Sequence, residues 1–350
     1  MKVLLLGGTG AMGRYLAPRL VKKGYQVSIT SRKTRNPVEN IEFIKLDAQL
    51  PELIEHLKVK KYDAIVDFMV YRTDSFANRI DELLKNTSHY VFISSARVFA
   101  NQEGEIDEHS KRLIDEKLDP NYLSSDEYAI AKAKQENLLK SHENKNWTIV
   151  RPYITYSPDR LQLGFSEKED WLQRALLGKP VFLYEEVMNK NTTLTYGDDV
   201  AKFLCELLGK NFVFAECYNV TGSKHIKWKE VLSIYTKIVE SKINQKVKVI
   251  YLTKDKFSWH KHWEQIDYDR SYDRQFNNDK VKTLIDVNDF LLPEVGLKEC
   301  LDGFLKSPRF LNINWASEAK KDKLCNYRNK LSLIPGSKNK VKYFLYRYIL

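Results

Sequence analysis

The amino-terminal segment restricts the fold of this chain more than any other stretch. A short apolar run, Lys2–Leu6, is followed by Gly7, Gly10 and Gly13, and a helical pattern then continues to Lys23. Glycines at this spacing between a strand and a helix allow a tight turn, and they let backbone N–H groups approach a pyrophosphate at the positive end of the helix. A glycine triplet alone is weak evidence, but its place directly after the first strand predicts a phosphate-binding loop.

Short apolar runs alternate with helical patterns through the first 160 residues. After the first strand, the runs predict strands at 26–30, 41–46, 64–68, 90–94 and 147–151. Beyond Pro152 the pattern loosens, with predicted helices at 168–177 and 198–208 and a strand at 217–220 that returns to the sheet. Pro18 lies inside the first helix, where we expect a cost of about 3 kcal/mol unless the helix bends. The alternation predicts an α/β fold with a doubly wound parallel sheet of the Rossmann type.

Three polar residues in the middle of the chain indicate chemistry. Ser95 ends the apolar run 89–95, and Tyr128 and Lys132 lie four apart in a stretch rich in helix formers. Spacing of four places the phenol and the ammonium on one helix face. A nearby cation stabilises a phenolate and lowers the pKa of the tyrosine, so Tyr128 is predicted to donate and accept a proton.

Composition and charge narrow the class of protein. Apolar residues make up 43% and charged residues 29% of the chain, as in a soluble globular protein. The apolar start is too short for a signal peptide, and no run approaches the roughly 18 apolar residues that a membrane-spanning helix needs. We therefore expect a cytoplasmic protein.

The net charge of +11 is concentrated at the carboxyl end. Residues 318–350 contain nine Lys and Arg against two acids, a balance of +7. A nucleic-acid enzyme is expected to line its groove with cations, so we expect no nucleic-acid partner. The segment ends with basic residues followed by aromatic and aliphatic ones. We predict a strand or helix packed on its own domain, and the alternatives are a peripheral contact with an anionic membrane or with a partner protein.

Cysteine and histidine give little support for a metal site. The four cysteines are widely spaced, match no zinc pattern and are predicted to be free thiols. His260 and His262 form a His-x-His pair, but no acid or cysteine is spaced with them as a ligand set. We predict no metal.

Six segments, in order along the chain, resemble the extended short-chain dehydrogenase/reductase superfamily, the group of nucleotide-sugar epimerases, dehydratases and reductases. The resemblance covers about residues 1–225, and a late helix start at 278–282 is similar as well. The segments are 7–13, 93–99, Tyr128 with Lys132, 150–153, 196–200 and 218–222. The resemblance implies NAD(P), a nucleotide-sugar substrate and a role in polysaccharide biosynthesis. The sequence leaves the oligomeric state open, with a homodimer as one option.

The resemblance also implies roles for individual residues. Tyr128 is then the acid/base, Lys132 binds the nicotinamide ribose and tunes Tyr128, and Ser95 holds the reacting oxygen. For Asp47, Phe68 and Met69 an ordinary strand-end role is the alternative. The implied cofactor contacts are Gly7, Thr9, Gly10, Ala11, Met12, Gly13, Asp47, Phe68, Met69, Lys132, Pro152 and Tyr153.

The domain boundaries follow from the same pieces. We predict a dinucleotide-binding domain at 1–155, to which 195–222 returns, and a smaller substrate-binding α/β subdomain at 156–194 and 223–317. Residues 318–350 form a basic aromatic tail. In the divergent stretch 268–276, Arg270 or Arg274 is the candidate to hold the nucleotide diphosphate, and we assign Arg270.

Two departures from the family refine the cofactor and the reaction. NAD-using members carry an acid after the second strand, whereas this chain has Arg32 and Lys33 and no acid until Glu39. Arg32 can pair with a 2′-phosphate, which favours NADP over NAD. Ala96 and Arg97 replace the acid pair of the dehydratases, which disfavours dehydration. Arg97 is a candidate substrate contact, with an ordinary surface arginine as the alternative.

The remaining alternatives share one fold. Reductase and 4-epimerase use the same Ser95, Tyr128 and Lys132, and NADPH favours reduction. The bulky segment 67–71 replaces a small strand end, and some members with an altered site bind stem-loop RNA. The three intact residues argue against that class. We therefore predict a keto-sugar reductase, with a 4-epimerase that retains NAD as the alternative and an RNA-binding protein as the competing class.

Overall fold

The computed structural model describes residues 1–38, 40–257, 259–260 and 263–350. Glu39 and His262, which entered the cofactor and metal predictions, lie outside these residues. Within the described ranges the strands are β1 (Lys2–Leu6), β2 (Gln26–Ser31), β3 (Ile41–Lys45), β4 (Tyr62–Asp67), β5 (Thr87–Ile93), β6 (Trp147–Pro152), β7 (Thr155–Tyr156), β8 (Val181–Tyr184), β9 (Asn191–Thr192), β10 (Thr195–Tyr196), β11 (Glu216–Val220), β12 (Ile226–Lys227) and β13 (Val249–Leu252).

The helices are distributed over the whole chain. In the same ranges they are α1 (Gly13–Lys22), α2 (Glu52–Val59), α3 (Thr73–Ala77), α4 (Ile80–Lys85), α5 (Pro120–Ser124), α6 (Tyr128–Ser141), α7 (Leu172–Leu176), α8 (Gly197–Leu207), α9 (Trp228–Ile243), α10 (Asp279–Lys282), α11 (Pro293–Leu305), α12 (Trp315–Leu324) and α13 (Ser337–Phe344). The chain divides into two compact units, the first of residues 1–157, 193–225 and 275–293, the second of 158–192, 226–274 and 294–350.

The first unit is built on a parallel sheet. Seven of the described strands form it, in the order β11-β6-β5-β4-β1-β2-β3, and each neighbouring pair runs parallel. The strand order reverses at β1, and a reversal of this kind opens a ligand crevice at the carboxyl ends of the strands. The predicted Rossmann sheet is confirmed.

Alternate residues of β1 enter two different cores. Val3 and Leu5 are buried on one face with Leu16 of α1, whereas Leu4 and Leu6 are buried on the other. Helices α1 and α8 supply side chains to the first core, and α2, α4 and α6 supply the second. A central strand that is covered on both faces is a continuous apolar run in the sequence. For this reason β1 could be predicted from the sequence pattern.

Helix α1 contains Pro18 without interruption and runs from Gly13 to Lys22. Gly24 follows with φ +82°, a left-handed conformation that a glycine adopts at low cost. Helix α6 supplies Leu139 to the second core. Its N-cap is Glu127, whose carboxylate accepts a hydrogen bond from the Ala129 N–H at 2.8 Å, and Tyr128 is its first residue.

The second unit combines short strands with helices. Strands β8 and β13 pair in parallel, and β9 and β12 pair antiparallel. The predicted helix 168–177 is shorter, covering Leu172–Leu176. Residues 318–350 belong to this unit, and their α12 and α13 share a small core with Trp315, Ile334 and Tyr343.

No described helix combines the length and apolarity needed to cross a bilayer. Among the described residues, no three or more His, Cys, Asp or Glu side chains come together as a metal-binding group. The four cysteines are free thiols.

Candidate active site

The glycine loop between β1 and α1 has the geometry of a phosphate-binding turn. Gly7 has φ +69°, and a Cβ added there would lie 2.7 Å from the Met69 sulfur. A Cβ on Gly13 would overlap the carbonyl oxygen of Gly8, so α1 packs against the loop more closely than any side chain allows. A Cβ on Gly10 would meet no atom within 4 Å, so this residue borders open space. The loop therefore presents its backbone where a ligand can approach.

The first turn of α1 is suited to an anion. Met12 is the N-cap and provides no side-chain hydrogen bond to the turn, so N–H groups at the positive end of the helix are not capped by that side chain. The Gly7 N–H donates to Thr30 Oγ1 at 3.1 Å, which fixes the loop to the end of β2. These features fit the diphosphate of a dinucleotide.

A cavity of about 430 Å³ lies beside this loop. It is where the structure brings together much of the predicted cofactor set, since Gly7, Thr9, Arg32, Asp47 and Met69 all line it. Asp47 follows β3, and its carboxylate accepts a hydrogen bond from the Gln49 N–H at 3.0 Å. The loop, the ends of β2 and β3 and the segment after β4 thus form one wall around a single space.

Three cations follow β2 at the edge of this cavity. Arg32, Lys33 and Arg35 all line it. Ser31 shapes their turn because its hydroxyl donates to the Lys33 carbonyl at 2.8 Å and accepts from the Lys33 N–H at 3.2 Å and from Arg35 Nε at 3.3 Å. Sequence reasoning identified Arg32 and Lys33 and missed Arg35, whose cationic side chain three residues further on was the available signal.

Lys132 is buried, and its ammonium is held by backbone carbonyls. Nζ donates to the Met69 oxygen at 3.0 Å and to the Ile93 oxygen at 2.8 Å. It also lies 4.2 Å from the centre of the Phe92 ring. Burial lowers the pKa of Lys132 to about 8, although the carboxylates of Asp67 and Glu136 oppose this shift. Since Met69 lines the cavity, Lys132 is connected to the dinucleotide space through that residue.

Beneath this lysine lies a buried carboxylate that sequence reasoning missed. Asp67 ends β4 and accepts hydrogen bonds from Tyr90 Oη at 2.8 Å, Tyr71 Oη at 3.0 Å and the Met69 N–H at 2.9 Å. Burial raises the pKa of Asp67, and the hydrogen bonds and the charge of Lys132 oppose that rise. An acid at the end of an apolar strand was its signal in the sequence. Asp67 fixes the backbone of Met69, and the Met69 carbonyl is one of the two that accept hydrogen bonds from Lys132.

Arg97 connects the other two predicted catalytic residues, Ser95 and Tyr128, near the end of β5. The strand stops at Ile93, and Ser95 caps a short 3-10 helix, accepting the Arg97 N–H at 3.2 Å. The Arg97 guanidinium forms an ion pair with Glu127 at 2.9 Å and lies 5.4 Å from the centre of the Tyr128 ring. Arg97 is therefore the cation that lies over Tyr128, and it connects Ser95 to the start of α6.

A second buried carboxylate, that of Glu136, connects α6 to Ser94 after β5 and to β6. Glu136 on α6 accepts Ser94 Oγ at 2.6 Å and two hydrogen bonds from Arg151, at 2.8 and 2.7 Å. Burial raises the pKa of Glu136, but the charge and hydrogen bonds of Arg151 outweigh burial and the net shift is downward. Arg112 approaches the same carboxylate at 3.4 Å. This posterior ion cluster of Ser94, Glu136 and Arg151 joins β5, β6 and α6, and sequence reasoning missed Glu136 among the many helix formers around it.

The other predicted contacts occupy different surroundings. Pro152 ends β6, and Tyr153 is buried with its ring 4.9 Å from that of Phe276. Phe68 follows β4 and packs against the apolar core. Arg270 lies in the second unit, buried with Asp269, with which it forms an ion pair. Its assignment to the nucleotide diphosphate stays a prediction.

Comparison with known proteins assigns the class that the fold and loop define. Residues 3–221 match the model of the NAD dependent epimerase/dehydratase family. The parallel sheet and the glycine loop are those of a large α/β class, and the chain belongs to the NAD dependent epimerase/dehydratase family.

One curated relative is described as a stem-loop binding protein. The chain is 28% identical over 245 residues to a chloroplast stem-loop binding protein of 41 kDa from Arabidopsis thaliana, and the match covers 64% of this chain. The chain spans only 60% of the length of that relative.

Solved structures show the same fold at low identity. A UDP-glucuronic acid 4-epimerase from Bacillus cereus, in complex with UDP-glucuronic acid and NAD, has a TM-score of 0.65 and 16% identity, covering 87% of this chain and 99% of its own. An epimerase from Methanothermobacter thermautotrophicus reaches 0.69 at 16% identity, covering 87% and 92%. A UDP-glucose 4-epimerase from Thermotoga maritima reaches 0.64 at 16% identity, covering 88% and 100%.

Proposed function

We propose that this protein uses NADPH to reduce a keto group on the ring of a nucleotide-activated sugar. The observation that carries the proposal is the contact through Met69, which lines the dinucleotide cavity and whose carbonyl holds Lys132. Lys132 lies one helical turn after Tyr128, and Arg97 connects Tyr128 to Ser95. A cofactor cavity and a proton-transfer set are thus adjacent within the first unit.

The residues divide the chemistry in a simple way. Bound NADPH supplies the hydride. Tyr128 donates a proton to the oxygen of the carbonyl that is reduced, and the Ser95 hydroxyl holds that oxygen in place. Lys132, one helical turn after Tyr128, places a positive charge on the same face of α6. Arg97 and Glu127 hold the Tyr128 ring at the start of α6.

The preference for NADPH rests on the cations after β2. Arg32, Lys33 and Arg35 line the cavity, and a 2′-phosphate carries about two negative charges that such a cluster stabilises. Arg32 and Lys33 are exposed. A reductase exchanges its cofactor in each turnover, and an exposed binding group allows this exchange. We infer that the cofactor is released after reduction.

A 4-epimerase that retains NAD is the second candidate. It is favoured by the solved structures of similar fold, among them UDP-sugar 4-epimerases. An epimerase returns the hydride to the opposite face of the same carbon and consumes no external cofactor. Mass spectrometry of the nucleotide that copurifies, followed by a turnover assay with added NADPH, separates the two. Tightly retained NAD with no consumption of NADPH would favour the epimerase.

Replacement of Tyr128 tests the acid/base assignment. We expect Tyr128→Phe to lower turnover by about 10²–10⁴-fold while dinucleotide affinity is retained, because the ring remains and only the proton donor is lost. Tyr251→Phe, at a half-exposed tyrosine of the second unit, is the matched control and should retain full turnover. Unchanged turnover in Tyr128→Phe would refute the assignment.

Replacement of Arg32 tests the cofactor preference. We expect Arg32→Ala to weaken NADPH binding by about 10–100-fold, the value of a charged hydrogen bond, and to leave NADH binding unchanged. Fluorescence titration with both cofactors measures the two affinities in one protein. Equal losses for NADPH and NADH would show that Arg32 does not contact the 2′-phosphate.

The stem-loop binding relative defines the competing class. Salt-sensitive binding of a stem-loop RNA, together with no affinity for either dinucleotide, would assign this protein to an RNA-binding function in place of the enzymatic one.

A further inference from the structure

We propose that the carboxyl-terminal segment of the second unit binds the surface of an anionic membrane. The docking surface, called here the outer stripe, comprises Val341, Phe344, Leu345, Tyr348 and Ile349 on α13 and the π-helix Leu345–Ile349 that continues it. The proposal is independent of the reaction proposed above.

The outer stripe is apolar and exposed. Its members are 38–64% exposed. They recur at intervals of three and four residues, the spacing that places side chains along one side of a helix. Apolar side chains exposed singly are ordinary on a protein surface, whereas five aligned along one helix form a contiguous patch that marks an interaction site.

The opposite side of the same helix is buried: Tyr343 packs in the small core with Trp315 and Ile334, and the polar groups of this side make internal hydrogen bonds. Tyr343 donates its hydroxyl hydrogen to Asp322 at 2.7 Å, and Arg347 Nε donates to the Tyr327 carbonyl at 3.1 Å. A surface helix normally turns its apolar stripe to the core and its polar groups to water. The buried contacts of Tyr343 and Arg347 therefore hold the apolar stripe outward.

A second, independent observation is the charge around the stripe. Residues 318–350 contain nine Lys and Arg and two acids. Both acids, Glu318 and Asp322, are buried in ion pairs with Arg174. The exposed charges of this segment are thus all positive, and they belong to Lys323, Arg328, Lys330, Lys338, Lys340 and Lys342.

This combination fits a lipid surface better than other occupants. Aliphatic side chains with aromatic ones insert at the boundary of headgroups and acyl chains, and the lysines beside them attract anionic headgroups. A second copy of this chain would bring the same uncompensated cations against each other, which costs energy in a symmetric interface. RNA would use the cations and the aromatic rings, but it has no contact to offer Val341, Leu345 and Ile349.

Co-sedimentation of the full chain with vesicles tests the proposal. We expect binding to phosphatidylcholine vesicles that contain about 30% phosphatidylglycerol, little binding to pure phosphatidylcholine, and release at high salt, because the attraction to headgroups is screened. Binding to neither vesicle would overturn the proposal. Equal, salt-insensitive binding to both would overturn its electrostatic basis.

Two matched pairs of variants locate the surface. Lys338→Gln, Lys340→Gln and Lys342→Gln together should weaken partition by about fivefold for each lysine. The control is Lys22→Gln, Lys117→Gln and Lys145→Gln, which removes the same charge from exposed sites in the first unit. Phe344→Ser should weaken partition about tenfold, whereas Phe212→Ser, at an exposed phenylalanine of the first unit, should not.

Sedimentation velocity and RNA titration cover the other occupants. A dimer in solution that Phe344→Ser dissociates would show that the stripe binds a second copy. Stem-loop RNA binding that the tail lysine variant abolishes, without any vesicle binding, would assign the surface to nucleic acid. Either result would overturn the membrane proposal. All these variants are at exposed positions, and an unchanged melting temperature verifies that they fold.

Discussion

Each unit buries a carboxylate among cations and a hydroxyl donor, and the two clusters have different consequences. In the first unit Glu136 is bound by Arg151 and Ser94. In the second, Asp322 is bound by Arg174 at 2.8 Å, Lys179 at 3.0 Å and the Tyr343 hydroxyl at 2.7 Å. We call the latter the anchor ion cluster.

The positions of the two clusters explain the difference. The posterior ion cluster joins β5, β6 and α6, and Ser94 and Glu136 are close neighbours along the chain of Ser95 and Lys132. The anchor ion cluster joins α7 and Lys179, which lies between α7 and β8, to α12 and α13. None of these carries a predicted catalytic residue. The same chemistry therefore positions a site in one unit and attaches a terminal segment in the other.

The largest effects are expected from removing the central carboxylate charge. Glu136→Gln should lower the free energy of unfolding by about 3–5 kcal/mol, because it leaves the buried Arg151 without its counter-charge. Asp322→Asn should lower it by less, because Glu318 still pairs with Arg174. Turnover per folded molecule should fall in Glu136→Gln, whose cluster holds Ser94 and α6, and should stay unchanged in Asp322→Asn. Chemical denaturation and turnover normalised to folded protein measure the two effects. Equal losses of turnover would erase the distinction between the clusters.

Removing the hydroxyl donors should have smaller effects of the same kind. Ser94→Ala and Tyr343→Phe each delete one hydrogen bond to a buried carboxylate, with an expected cost of about 1–3 kcal/mol in the free energy of unfolding. Ser94→Ala should in addition lower turnover, because Ser94 precedes Ser95. Tyr343→Phe should instead weaken vesicle binding, because Tyr343 holds the outer stripe outward. If the two variants exchange these secondary effects, the assignment of the clusters is wrong.

The smallest expected effect is the change of the free energy of unfolding with pH, which depends on two buried lysines. Burial lowers the pKa of Lys132 from 10.5 to about 8 and also lowers that of Lys179, where Asp322 opposes the shift. Between pH 8 and 10.5 the unfolded chain keeps a proton at Lys132 that the folded protein has lost, so Lys132 makes the free energy of unfolding rise with pH by up to about 1.4 kcal/mol per unit.

Turnover should follow the opposite course. It should fall above about pH 8 as the Lys132 ammonium is neutralised, by about tenfold per pH unit at the limit of a single deprotonation. In Lys132→Arg the alkaline limb should move to higher pH, because a guanidinium stays charged. Lys179→Arg is the control and should leave the pH profile of turnover unchanged. A limb that moves in neither variant would exclude Lys132 as its origin.

Much of the first unit could be predicted from local pattern. The strands of the parallel sheet are buried on both faces, so each is an apolar run that a turn or helix pattern interrupts. The glycine loop was predictable because the positive φ of Gly7 and the close approach of Gly13 to the Gly8 backbone both require glycine. Tyr128 and Lys132 were found because one helix sets their spacing.

The residues that sequence reasoning missed act between distant segments. Glu136 lies among helix formers, and its partners Ser94 and Arg151 are distant in the chain. Asp67 ends an apolar strand, but its hydrogen bond from Tyr90 of the neighbouring strand is a tertiary contact. Arg174 and Asp322 are 148 residues apart. Glu127 caps α6 and also pairs with Arg97, and the second of these contacts is tertiary.

The sequence by itself determined the sheet, the phosphate loop and the family, because these depend on periodicity and on glycines that backbone conformation demands. Only the tertiary structure decided how the charges are used. Burial lowers the pKa of Lys132, and ion pairs with Arg174 compensate the charges of Glu318 and Asp322. Both burial and these ion pairs exist only in the packed chain. The basic segment 318–350 shows the same division. Its basic and aromatic composition could be predicted from the sequence. Its apolar stripe faces outward because Tyr343 and Arg347 form hydrogen bonds with Asp322 and the Tyr327 carbonyl in the interior.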